Sequence, residues 1–391
     1  MLQKLKDGSD PDHFANTNWA KEMFRTAVMH QHHLSVSGGS KTTHYMISAQ
    51  YMDQDGIMKN TANRRFNFRS NVDAQLGIVK VGLNLSGSRQ TIYEPVNSVT
   101  GEGLMRTLTW FTRPTVPVQF SNGYYAYNDG NSAISQSVFK NPIYNLYYGH
   151  KDNNHYRFDG QIFAEVNLYK GLKFRSSLSY KYYNNAVSTY SPRTEARYDA
   201  EGNEIAPAGT QNTLVDYNYL ETSYINENIL TYNNKFGDHT IGILLGHSIQ
   251  KNRWDSNTSS RQGFPTDNIY ELDGGTQNDA VSGSAEETKL QSFFGRLNYN
   301  YADRYLFEFN VRRDGSSRLP SNNRYATFPS LSGAWIMTNE KFMQGIDWLT
   351  NLKLRASWGK LGNQEIGNYA YTETLSAQGS YYFGDTKYIG M

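Results

Sequence analysis

Between Tyr156 and Tyr183 the chain alternates apolar and polar side chains with a period of two. Phe158, Gly160, Ile162, Ala164, Val166 and Leu168 share one face, while Arg157, Asp159, Gln161, Glu165 and Asn167 share the other. After Tyr169-Lys170-Gly171 the pattern restarts, with Leu172, Phe174, Leu178, Tyr180 and Tyr182 opposing Lys173, Arg175, Ser177, Ser179 and Lys181. Successive side chains of a strand point to opposite faces, so this is a β-hairpin closed by a glycine turn. Each arm runs about 11 residues or more, longer than the usual globular strand and matched to a tilted bilayer crossing.

The same alternation predicts strands at His33 to Ser37, His44 to Met52, Arg65 to Asp73 and Ile78 to Ser88. It predicts further strands at Ser223 to Lys235, Thr240 to Trp254, Thr288 to Tyr301, Tyr305 to Asp314, Thr327 to Thr338 and Leu352 to Gly359. With the hairpin, that makes about twelve. Connections alternate in length. Short ones are Gly38-Gly39-Ser40-Lys41, Ala74 to Gly77, Tyr169 to Gly171, Phe236 to His239 and Ala302 to Arg304. Long ones are Arg89 to His155, Asn184 to Thr222 and Ser256 to Glu287. A soluble sandwich has no reason to segregate its loops in this way. An outer-membrane barrel does, with short periplasmic turns and long extracellular loops. The fold expected is therefore all-β, an antiparallel transmembrane barrel wall. Asn339 to Asn351 reads as a short amphipathic helix within a periplasmic turn, with Trp348 at the membrane interface.

Composition fits this picture. Only 38% of the 391 residues are hydrophobic, mean hydropathy is -0.68, and no apolar run approaches the ~18 residues of a spanning helix. A barrel tolerates so polar an average because only alternate residues meet lipid. The 30 Tyr residues suit pleated surfaces and membrane interfaces. A net charge of +2 gives no electrostatic case for nucleic acid. The absence of cysteine excludes thiol catalysis, disulfides and Cys-based zinc sites. The first residues, Met1 to Gly8, carry no apolar core with a following small-residue cleavage site, which conflicts with export.

No enzyme signature is present: neither a Gly-x-Ser-x-Gly elbow, a phosphate loop, nor a His-Glu-x-x-His helix. No enzymatic activity, cofactor or metal is expected. His30, His32, His33 and His44 could converge on a metal, but a polar strand end near the periplasmic rim is the simpler reading. Asp53-Gln54-Asp55-Gly56 opens like a calcium loop yet lacks the downstream Glu, which leaves a tight hairpin turn. Paired lumenal charges such as Arg157 and Asp159 are read as the lining of a wet interior. On one long loop, Trp110 and Phe111 precede Arg113-Pro114-Thr115-Val116-Pro117, and Tyr124, Tyr125 and Tyr127 follow. Aromatics presented by a proline-stiffened loop can stack on sugar rings or peptide side chains, so these five are the candidate substrate contacts, against packing within the loop.

Two blocks carry a family resemblance. Arg312-Arg313-Asp314-Gly315-Ser316-Ser317-Arg318, followed by Asn322-Asn323-Arg324-Tyr325 and Phe328-Pro329-Ser330, resembles the SusC/RagA branch of TonB-dependent outer-membrane receptors of Bacteroidota. Leu352 to Gly359, running into Gly362-Asn363-Gln364-Glu365-Ile366-Gly367-Asn368-Tyr369, does so as well. Trp19, Phe24-Arg25-Thr26 and Leu34 to Gly39 resemble the hand-over from that family's plug to its barrel. One departure is Leu319-Pro320, where the family more often has an aromatic residue. Physically, Asp314 to Arg318 and Gly362 to Gln364 read as turns at extracellular strand ends.

The resemblance implies nutrient uptake. Such receptors import an oligosaccharide or peptide with a SusD-like lipoprotein partner when TonB pulls on the plug. Barrels of this class have about 22 strands, so the chain is expected to be a partial barrel at residues 31–391. Residues 1–30 are then a remnant of the plug-to-barrel linker, and the plug, TonB box and closing strands lie outside. A half barrel leaves edges that lipid cannot satisfy, so this chain alone is expected not to transport. Alternatives are a non-transporting surface-binding or adhesin barrel, an outer-membrane hydrolase lacking any assembled nucleophile, and a soluble carbohydrate-binding β protein.

Overall fold

The computed structural model describes Gln3 and residues 7–95, 113–126, 141–193, 197–198, 201–206, 211–343, 345–346, 348–372 and 379–390. Its strands are β1 (Met29–Gly39), β2 (Thr43–Asp55), β3 (Ala62–Leu76), β4 (Val79–Glu94), β5 (His150–Tyr169) and β6 (Leu172–Ser191). A small hairpin, β7 (Arg197–Tyr198) with β8 (Glu204–Ala206), lies in the next connection. Then follow β9 (Thr213–Phe236), β10 (His239–Gln262), β11 (Gln277–Tyr301), β12 (Tyr305–Ser316), β13 (Tyr325–Ile336) and β14 (Lys353–Gly359). A separate hairpin, β15 (Gly379–Phe383) with β16 (Thr386–Gly390), ends the chain.

Twelve strands, β1–β6 and β9–β14, form one antiparallel sheet in which each pairs with its neighbours in that order. The twelve strands expected from alternation are these twelve. Among the described residues β1 pairs only with β2 and β14 only with β13, so the sheet is open.

Directly opposed residues share a face, so the register shows what each face presents. One row runs Tyr232, Ile243, Leu297, Phe309, Leu331 and Trp358 across six strands. Another runs Leu83, Ile162 and Leu178. Side chains on this face are uncovered: Trp358 is 65% exposed and Ile162 53%. In water such a belt would drive aggregation; in a bilayer it is solvated by acyl chains. The opposite face is polar, as in the row Asn84, Gln161 and Ser179, linked by hydrogen bonds of 3.2 and 3.1 Å. Cavities of 610, 580 and 260 Å³ open on this polar face, which is therefore the concave one and the lumen.

The belt carries a polar cluster at Ser176, Asn226 and Asn228, continued on β10 and β11 by His247 and Gln291, which share a 3.1 Å hydrogen bond. Ser176 Oγ donates to Asn228, Asn228 Nδ2 to Asn226, and Asn226 Nδ2 to the Ser177 carbonyl, at 2.8, 2.8 and 3.1 Å. Closing on itself in this way limits the cost of polar groups facing lipid. At the short-turn edge an aromatic girdle forms. Tyr305 stacks on Tyr301 and on Trp335, at centroid distances of 6.3 and 6.4 Å, and His239 lies 4.9 Å from Tyr301. Rings there place an apolar body against lipid and a polar tip toward headgroups.

Several segments differ from the sequence reading. Strands run further than alternation indicated: β9 and β10 have 24 residues and β11 has 25, against the ~9–11 a bilayer needs. Beyond the membrane both faces are wet, so alternation fades while the hydrogen-bond ladder continues. The long connections shrink accordingly to 95–149, 192–212 and 263–276. The last of these folds back over Tyr190 and Leu214, which are fully buried with Phe264. Where a short amphipathic helix was expected at Asn339 to Asn351, the described residues form short 3-10 turns, Met337–Asn339 at its start and Lys341–Met343 within it, and Trp348 is 82% exposed.

His30 and His32 stand at the long-loop end of β1, not at the periplasmic rim, because β1 runs from the long-loop end to the first short turn. His44 lies at the opposite end, 3.2 Å from Asp73. Among the described residues no group of three or more His, Asp or Glu is placed to hold a metal. Asp53 and Asp55 end β2 and pair with Arg64 and Arg25 at 3.4 and 3.1 Å.

Residues 10–28, within the stretch assigned to a linker, are built into the long-loop layer. The short helix Trp19–Met23 buries Trp19 and Met23 against Ile143, and the Trp19 indole donates to the Arg113 carbonyl at 2.9 Å.

The face assignment predicts that Leu245→Arg destabilises the chain folded in lipid vesicles by about 2–4 kcal/mol, the cost of a cation at mid-bilayer. Asn298→Arg, on the lumenal wall, should leave the urea-unfolding free energy nearly unchanged. Equal penalties for the two would contradict the assignment.

Candidate functional site

Three lumen-facing rows cross β3, β4, β5, β6, β9 and β10 where the apolar belt gives way to the long-loop end. The first is Arg65, Gln90, His155, Asn185, Tyr219 and Ser256. The second is Asn67, Ser88, Arg157, Tyr183, Glu221 and Trp254. The third is Arg69, Ser86, Asp159, Lys181, Ser223 and Asn252. At a strand spacing of ~4.8 Å the patch is roughly 24 Å wide.

One half is aromatic. Tyr183 packs edge-on to Tyr219 at 6.1 Å, and Tyr219 stacks on Trp254 at 6.0 Å. His155 stacks on Tyr183 at 6.0 Å and shares a 2.8 Å hydrogen bond with its hydroxyl. Burial, followed by the nearby Arg157, holds His155 below the ordinary imidazole pKa, so it is neutral at pH 7. Burial and then Glu221 push the Tyr219 hydroxyl up to about 12, and it donates to the Glu221 carboxylate at 3.1 Å.

The other half is cationic. Arg65, Arg69, Arg157 and Asp159 line the 580 Å³ cavity, and Arg69, Asp159 and Lys181 line the 260 Å³ one beside it. Elsewhere Lys80, Lys173 and Arg304 each hold a carboxylate at 3.1 to 3.3 Å. Among the described residues Arg65, Arg69, Arg157 and Lys181 hold none. Arg157 lies over the Tyr183 ring, 5.3 Å from its centroid, and so joins the two halves.

Of the loop aromatics singled out from the sequence, Trp110, Phe111 and Tyr127 lie outside the described residues. Tyr125 packs against the Trp19–Met23–Ile143 cluster and edge-on to Tyr148 at 6.1 Å, inside the loop layer. Tyr124 is exposed. The lumenal ladder is not legible as a unit in the sequence because its members are far apart in the chain. Tyr183 and Trp254 do fall at the loop-proximal ends of polar faces, and that signal was available.

The two family blocks meet each other. Asp314, Gly315 and Ser316 are the last residues of β12, and the turn begins only at Ser317. Gly315 is needed for close approach, since a Cβ there would collide with the Tyr325 ring; Gly362 is likewise covered by Phe328. Asp314 takes two bonds from Arg312 Nε, at 2.7 and 2.9 Å. Ser317 exchanges bonds with Lys289 of β11, at 2.9 and 2.8 Å. Arg318 donates to the Gln364 carbonyl at 3.3 Å. Asn363 Oδ1 accepts from the Glu365 amide at 2.8 Å, while Asn368 donates to Glu286 and Tyr369 to the Glu287 carbonyl. The blocks thus brace the tall β10–β11 hairpin, which β12 leaves behind at Leu290.

Comparison with known proteins agrees with this architecture. No protein-family model matches the chain. It is 33% identical over 386 residues to TonB-dependent receptor P3 of Formosa agariphila, covering 96% of this chain and 37% of that protein. It is 29% identical over 404 residues to TonB-dependent receptor SusC of Bacteroides thetaiotaomicron, covering 96% and 38%. The RagAB peptide transporter superposes with a TM-score of 0.76 at 27% identity, over 97% of this chain and 42% of that one. Fold and relatives together define the wall of an outer-membrane β-barrel of the SusC/RagA type of TonB-dependent receptor. The chain spans a little over a third of the length of the curated relatives it matches.

The site makes a pH prediction. A lowered folded-state pKa means that protonating His155 opposes folding. Its stabilising neutral form is complete above the ordinary value near 6.5 and is lost as pH falls below it. Followed by NMR, His155 should titrate below the ordinary range. Arg157→Gln should move the midpoint up part of the way, since burial is the larger cause. An unmoved midpoint would remove Arg157 from the account.

Proposed function

We propose that this chain is the barrel wall of a TonB-dependent nutrient importer and that its lumenal patch contacts the passing substrate, an oligosaccharide or a peptide. The observation that carries this reading is the Tyr183–Tyr219–Trp254 ladder facing the lumen, beside cations that hold no ion pair among the described residues. A channel wall that only filled space would have no use for rings stacked at its wet surface, whereas rings with adjacent charge are how ligands are oriented. The RagAB structure is titled a peptide transporter, and SusC is a TonB-dependent receptor. By this likeness the reading includes a SusD-like lipoprotein over the long-loop end, outer-membrane lipid around the belt, and TonB acting through a plug. The role is transport and not catalysis. Residues 31–391 are then barrel, and residues 10–28 belong to its extracellular loop layer. Tyr124 is a second contact candidate on that layer.

The open edges at β1 and β14 support a further expectation, that the chain alone does not conduct, because unpaired strand edges cannot face lipid. A photo-crosslinking residue at position 254, on the lumenal face, should capture labelled oligosaccharides or peptides when the chain is reconstituted in liposomes. The same residue at position 253, on the outward face, should not. Substrate-selective flux through the chain alone would overturn the expectation of no transport, and capture at neither position would overturn the importer reading.

A further inference from the structure

The lumenal patch has unmet hydrogen-bonding capacity that specifies more than a generic ligand. Arg65 Nε is buried without a hydrogen-bond partner, and so are Asn153 Oδ1 and Asn185 Oδ1. All three sit on the lumenal face of β3, β5 and β6, with Arg65 and Asn185 in one row. A buried donor or acceptor left unpaired costs more than a bond gains, so these groups take a bond from water or from a bound ligand, and three of them fall together here. The donor is a guanidinium and suits an anionic oxygen. The acceptors are amide oxygens and suit hydroxyl donors. Arg69, Arg157 and Lys181 add three further cations without ion pairs among the described residues, against two carboxylates in the patch, Asp159 and Glu221, the latter taken up by the Tyr219 hydroxyl.

We propose that the patch binds an acidic oligosaccharide, a chain of sugar rings bearing carboxylate or sulfate groups. This rests on the importer reading above and names its substrate class. The anionic groups pair with Arg65, Arg69, Arg157 and Lys181, where planar guanidinium forks match carboxylate and sulfate oxygens. The apolar faces of the rings lie on Tyr183, Tyr219 and Trp254. Ring hydroxyls donate to Asn153 and Asn185. An acidic peptide meets the charge equally well but offers neither a row of flat apolar ring faces nor a hydroxyl at each step. A patch roughly 24 Å wide accommodates several sugar units side by side.

The test is calorimetric titration of the whole chain, folded in detergent, with a sulfated tetrasaccharide, its desulfated counterpart and a penta-glutamate peptide. The sulfated sugar should bind about tenfold or more tighter than the desulfated one, with the advantage shrinking as salt is raised. Arg65→Gln and Arg157→Gln should each cost about tenfold for the sulfated sugar and little for the neutral one. Trp254→Ala should weaken both sugars. Arg355→Gln, on the wall of the separate 610 Å³ cavity, should change neither and controls for folding. Equal affinity for the two sugars would overturn the acidic class while leaving the importer reading in place. Binding of penta-glutamate alone would overturn it in favour of an acidic protein segment. No binding of any probe would overturn both readings.

Discussion

The whole architecture follows from one constraint: inside a bilayer no backbone N–H or C=O finds water, so every one must be paired by another strand. A meander of nearest-neighbour antiparallel strands meets that demand with short turns, and this chain carries it through twelve strands in sequence order. Once each strand is paired on both sides, its side chains have only two directions left. One set meets lipid, as Ile243, Leu297 and Phe309 do in a single row, and the other meets the lumen.

Because lipid consumes only alternate positions, the lumenal positions are free to be polar, charged or aromatic without loss of membrane stability. This freedom is what places Arg65, Arg69, Arg157 and Lys181 on one wall and stacks Tyr183, Tyr219 and Trp254 beside them. The same ladder continues beyond the membrane, where β9, β10 and β11 rise into a tall ribbon. There lipid no longer supports the ribbon. It is held by the loop that buries Tyr190 and Leu214, and by Ser317 and Tyr369 bonded to the exposed edge of β11.

The strands, their number and their faces were legible in the sequence because lipid enforces period two over the span. Thr213 to Thr222 reads as loop in the sequence because nothing enforces alternation above the membrane. Asp314 to Ser316 looked like a turn because Asp, Gly and Ser favour turns; in fact Gly315 makes room for Tyr325 at a strand end. Which end of the barrel His30 occupies depends on strand direction, and local composition does not encode direction. The lumenal ladder depends on register between strands as much as 99 residues apart, His155 to Trp254, and register is a property of the assembled sheet. Loop aromatics adjacent in sequence look like a ligand platform, yet Tyr125 is used for packing.

The central claim is that one face of this sheet meets lipid and the other water, and a chain with no cysteine allows a direct measurement. Single cysteines introduced along β10 from Ile241 to Gln250, each spin-labelled in lipid vesicles, report accessibility to oxygen and to a water-soluble nickel chelate. The account predicts strict alternation, with oxygen favoured at Ile241, Ile243, Leu245, His247 and Ile249 and nickel at the positions between. A uniform profile, or alternation with the two faces exchanged, would contradict it.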